Sequence, residues 1–136
     1  MEEELTALLL ADPALSALVG DAVHWGVQPT EKNADRYLTL QIVDQREGVH
    51  SQGFDGLQRC LVQFDTWGPD LAGAFAVRDA LRALFKDFLG VRGAVDFRGV
   101  VPEGGRMLRP NASVKGAAKR RGYSVDFEFI WKEVNT

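Results

Sequence analysis

Few side chains in this 136-residue sequence could do chemistry, and their spacing limits what that chemistry could be. His24 and His50 are the first candidates for metal binding or proton transfer. A metal site needs further His, Cys or carboxylate ligands at short spacings, and neither histidine has them nearby. His24 lies beside Trp25 in a short extended run and His50 in a glycine-rich stretch, so both read as structural. Cys60 alternates with Val62 and Phe64 along one strand face, the place of a small buried hydrophobe rather than a nucleophile. Asp126 and Glu128 sit two apart on one strand face, as an acid–base pair would. Ordinary polar alternation gives the same spacing without any reaction. Gly104-Gly105 and Gly116 lack the following Gly-Lys-Ser/Thr and the strand-to-helix turn of a phosphate loop. The residues predict no enzyme, no cofactor and no metal.

Charge is the more informative feature. The net charge is −3, yet residues 1–35 carry Glu2, Glu3, Glu4, Asp12, Asp21, Glu31 and Asp35 against Lys32 alone. Residues 104–122 carry Arg106, Arg109, Lys115, Lys119, Arg120 and Arg121 with no acid. Segregation of this kind bears on partners and orientation rather than on fold. The six bases form a candidate interaction loop. Phosphate neutralisation is one use for it, but no aromatic is interleaved before Tyr123 and the pI is about 5.4. A solvated loop and a protein-docking loop are the other two readings.

These residues need a scaffold, and the chain length suits one domain spanning residues 1–136. A composition of 46% hydrophobic and 26% charged residues predicts a folded protein, and one cysteine excludes an internal disulfide. No apolar run reaches bilayer length, and the Met1-Glu2-Glu3-Glu4 start is unlike a secretory signal, which predicts no membrane association.

Leu5, Leu8 and Leu9 fall on one helical stripe, and Asp12-Pro13 supplies a cap and a first helical residue for a second short helix ending at Gly20. The spacing predicts helices over 2–11 and 13–19 and a long helix over 70–88. Strands are predicted at 22–28, from 36, at 57–67, around 93–101 and at 122–134. The glycine-rich stretch 48–56 predicts a mobile connection, and 102–122 mostly loop. Short connections between successive strands predict an α+β fold: an antiparallel sheet with the one long helix packed on a face, plus short N-terminal helices.

Four segments together resemble a known family. They are Leu8 to Asp21 (Leu-Leu-Leu-Ala-Asp-Pro-Ala-Leu-Ser-Ala-Leu-Val-Gly-Asp), Val23 to Pro29, Arg59 to Trp67 before an Ala-rich helix, and the closing Arg120 to Trp131. Their order and spacing are similar to the tail completion or tail terminator proteins, the head-to-tail joining proteins of long-tailed phages and phage-like gene transfer agents. The resemblance implies a non-enzymatic ring, commonly a hexamer, in the virion or phage-like particle. Such a ring, assembled in the host cytoplasm, ends the tail tube and meets the head connector (stopper) protein. DNA passes through its channel. The alternative from another class is a small intracellular nucleic-acid-binding or regulatory module using residues 106–121.

Overall fold

The computed structural model describes residues 1–26, 35–50, 53–86, 88–108 and 121–134. Helix α1 (Glu2–Ala11) has its three glutamates in the first turn, where the positive end of the helix dipole favours them. It buries Leu5 and Leu9. The Asp12 carboxylate then accepts from the Leu15 amide at 3.0 Å and caps helix α2 (Pro13–Val19). Gly20 closes that helix at φ 59°, a conformation that suits glycine. Strand β1 (Val23–Trp25) follows at once. The Trp25 indole N–H donates to the Thr6 hydroxyl at 2.8 Å and ties the strand to α1.

Strands β2 (Tyr37–His50) and β3 (Gly53–Gly68) form one long hairpin, and β3 pairs in turn with β6 (Arg121–Glu133). Helix α3 (Leu71–Phe85) lies between, opened by the Asp70 carboxylate accepting from the Gly73 amide at 2.7 Å. Strands β4 (Gly90–Arg92) and β5 (Val95–Leu108) complete a sheet of order β1-β2-β3-β6-β5-β4. The sheet curls into half a barrel. Alternation places Cys60, Val62 and Phe64 of β3 and Val125, Phe127 and Phe129 of β6 on the helix-covered side. Phe64 and Phe85 anchor an aromatic cluster there, with Phe127 and Phe129 packed against both at 5.1–6.1 Å between centroids. Thr66 shares its buried hydroxyl between the carbonyls of Ala74 (3.0 Å) and Tyr123 (3.1 Å), which fixes α3 and β6 to the end of β3.

The predicted fold class needs correction. The sheet is mixed rather than antiparallel, because β1 runs parallel to β2 in the register Val23↔Leu38. A parallel neighbour cannot be reached by a tight turn, and residues 26–36 separate the two strands in sequence. No single long helix dominates: α3 ends at Phe85, short of the predicted 88, and α1 and α2 contribute Leu5, Leu9, Leu15 and Val19 to the same core. The glycine-rich stretch 48–56 is largely hairpin strand, with β2 reaching His50 and β3 starting at Gly53. Likewise β5 continues through Gly104 and Gly105 to Leu108, where a loop was predicted. Register shifts between Phe97 and Gly99 and between Pro102 and Gly104 absorb residues that would break a regular strand.

Candidate assembly surface

The predicted interaction loop is only partly within the described residues. Arg109, Lys115, Lys119 and Arg120 lie outside them. Arg106 is on β5, opposite Ser124, rather than in a loop. Its guanidinium donates to the Gln63 carbonyl oxygen at 3.3 Å and approaches the Asp126 carboxylate at 4.0 Å. Gln63 in turn donates to Asp65 at 2.9 Å. These residues occupy the sheet face turned away from the helices, in adjoining rows set by the pairs Gln41↔Gln63, Gln63↔Asp126 and Asp65↔Ser124. Arg121 opens β6 opposite Gly68, exposed at the same end of the sheet. Arg106 and Arg121 therefore flank one end of the β5–β6 pair and bracket the other four bases in sequence.

The remaining candidates fall where packing puts them. Cys60 is buried, and burial, reinforced by Glu2, pushes its thiol from its ordinary 9.0 to about 11. A thiol so protonated is a poor nucleophile at neutral pH. His24 pairs in register with Thr39, and its Nε2 is buried without a hydrogen-bond partner among the described residues. The side chain of His50 lies outside the description. Asp126 and Glu128 share the face of β6 turned away from the helices; Asp126 approaches Arg106 at 4.0 Å, and Glu128 lies one pair further along, between Leu61 and Val101 in register. Among the described residues no group of three His, Cys, Asp or Glu side chains could hold a metal. No helix among them is long and apolar enough to cross a membrane.

Two surface features were not read from the sequence. A groove of about 470 Å³ runs between the second half of α3 and strands β5 and β6. Phe85, Val100, Val125 and Phe127 give it an apolar floor, and Arg82 and Lys86 stand at its rim. Leu89, just before β4, Val91 on β4, and Val101 and Met107 on β5 are large apolar side chains left exposed. The sequence signal was available in part. Val100-Val101 end the strand predicted around 93–101, and Met107 lies in the stretch 102–122 whose glycines and prolines suggest a loop. The groove required knowing that α3 crosses β6.

Arg82 also approaches the Tyr123 ring, 6.0 Å from its centroid, beneath the closer Arg78 at 4.9 Å. Tyr123 itself covers Gly105, where an added Cβ would meet its ring at 2.6 Å. A glycine at that point of β5 is thus a packing requirement.

Hydrogen-bonding strands, apolar side chains at a sheet margin and segregated charge are the equipment of a small α+β assembly module. Residues 3–96 match the family described as tail completion protein gp17, and the chain belongs to that family. It is a structural protein of a phage-type tail, and its place is in the virion or phage-like particle. A chain in a structure described as the virion of a native gene transfer agent (GTA) particle shares the fold. The two superpose with a TM-score of 0.66 over 97% of this chain and 94% of that chain, at 23% identity. A second solved chain aligns over 100% of this chain and 97% of its own length, with 12% identity and a TM-score of 0.49, too remote to add to the comparison. No curated protein sequence matches.

Proposed function

We propose that this chain forms a ring, of six copies, that terminates a tail tube and joins it to the head connector, leaving a channel for DNA. The observation that carries the reading is membership of the tail completion family over residues 3–96. The fold shared with a chain of a gene transfer agent virion agrees with it, and extends the reading to phage-like particles as well as phages. Tube protein on one face and the connector's stopper protein on the other are the partners. The basic residues Arg106, Arg109, Lys115, Lys119, Arg120 and Arg121 dock one of them, steered by charge. Arg106 on β5 lies within 3.3 Å of Gln63 and 4.0 Å of Asp126, with its side chain still largely exposed for docking.

The test is particle production without this chain. The proposal requires filled heads and tubes that fail to join, with restoration by the wild-type chain supplied separately. Normal joined particles in its absence would refute it.

A further inference from the structure

The groove beside α3 has a chemical character of its own. Phe85 of α3 and Val125 and Phe127 of β6 form its floor, and Val100, Pro102 and Gly104 of β5 form the far wall. Phe127 stands opposite Pro102 in the β5–β6 ladder, so backbone pairing sets the distance between floor and wall. Nothing lies within 4 Å of where a Cβ would stand on Gly104, which leaves room for another chain to come close. At about 470 Å³ the groove is the size of an ordinary ligand pocket, about 300–1,000 Å³.

Among the described residues, the charged groups lining it are Arg82 and Lys86, both exposed and one helical turn apart on α3. Neither has an ion-pair partner among the described residues. The neighbouring acids face elsewhere. Asp96, Asp126 and Glu128 alternate onto the opposite face of the sheet, and Asp79 is paired with Arg78 at 2.9 Å. Glu103 is exposed at the register shift between Pro102 and Gly104 and does not line the groove. Asp87 lies outside the described residues. The groove therefore presents an apolar floor under a cationic rim.

We infer that the groove receives an acidic peptide segment carrying one large apolar side chain, presented by a different protein of the particle. This rests on the structural role proposed above and names the chemistry of one of its contacts. The apolar side chain covers Val125 and Phe127, and carboxylates flanking it meet Arg82 and Lys86. Exposed ion pairs add little, so the buried side chain supplies most of the affinity and the two cations select for acid. The acidic N-terminal segment of a second copy is a poor occupant. Its Leu5 and Leu9 are buried in their own core, and Glu4 is held 3.1 Å from the N-terminal amine. The stretch from Gly104 to Gly122 is unsuited by charge, with six bases and no acid.

Overlapping fluorescent peptides test the contact. Peptides tiling the tube and connector proteins of the same particle, and peptides tiling this chain, are titrated with the purified chain by anisotropy at low and high salt. Binding should be confined to peptides in which a large apolar residue lies between acids. It should be lost when that residue is changed to Ala and be weaker at high salt. Arg82→Glu combined with Lys86→Glu should weaken it about tenfold or more. Lys86→Glu alone, exposed at the end of α3, should act in the same direction with folding intact by circular dichroism. Arg59→Glu makes the same charge change on the opposite face of the sheet and should leave binding unaltered. Equal weakening by Arg59→Glu, a preference for basic or neutral peptides, binding only of this chain's own peptides, or no binding at all overturns the inference. Electron microscopy scores the ring separately. Rings of a chain that binds none of the peptides leave the ring standing without the groove contact, and acidic peptides bound by a chain that stays monomeric leave the groove contact without the ring.

Discussion

Phe64→Ala should be the most damaging single truncation of the aromatic core. Phe64 is 0% exposed and lies in the middle of β3, with Phe85, Phe127 and Phe129 around it at 5.6, 5.7 and 6.1 Å between centroids. Removing a buried phenyl ring costs about 3–5 kcal/mol through lost transfer energy plus the cavity left behind. Three ring neighbours on two separate elements cannot all collapse inward, because Phe127 and Phe129 are held by the β3–β6 ladder and Phe85 by α3. The loss therefore belongs at the upper end, about 4–5 kcal/mol, a third or more of the stability of an ordinary domain. It lowers the melting temperature by about 10–20 °C for a chain of this length. Urea denaturation followed by tryptophan fluorescence, with the slope checked against wild type, measures it. Phe75→Ala is the control: Phe75 is half-buried, packs on Tyr123 and carries Arg78 over its face, so it should cost only about 1–2 kcal/mol. A loss below about 1.5 kcal/mol for Phe64→Ala at unchanged slope would refute the packing described.

Cys60 should react with thiol reagents only as fast as the protein opens. Its raised titration also makes folding pH-dependent. Folding favours the protonated thiol, so the contribution is full below pH 9 and is lost as pH rises through about 11, up to about 2–3 kcal/mol by urea denaturation at each pH. Gly122→Ala places a Cβ 2.7 Å from the Trp67 ring, which stacks on Tyr37; despite the entropy gained by replacing glycine, the clash should cost about 1–3 kcal/mol and shift Trp67 emission. Changing Lys119, Arg120 and Arg121 together to Ala should leave thermal stability within about 0.5 kcal/mol and weaken joining, with the deficit against wild type largest at low salt. Wild type should show negligible binding to labelled duplex DNA at low salt; tight binding that the triple change reduces would favour the nucleic-acid alternative.

Much of the scaffold was legible because local chemistry and burial agree. Asp12 and Asp70 cap their helices as their positions before Pro13 and Leu71 suggest, and the alternation through Cys60, Val62 and Phe64 and through Val125, Phe127 and Phe129 gives the two central strands. Those strands are hydrogen-bonded on both sides and half-buried, so their side-chain pattern is dictated by the core. The margins obey weaker rules. β5 is hydrogen-bonded on one side only beyond Phe97 among the described residues, so it tolerates Pro102, Gly104 and Gly105, which in sequence signal a loop. The parallel placement of β1 depends on where a crossover returns, and three residues of strand carry too little pattern to specify it. The candidate surface was legible as charge and not as shape. Arg106 was identified from composition, but its bond to Gln63 and the groove beside it arise from elements brought together across the sheet.

Electron microscopy of the purified chain, over concentrations up to the onset of assembly, tests the ring most directly. Closed rings of six copies with an open centre are the predicted result. A uniform monomer at every concentration, with tail tube protein present or absent, would contradict it.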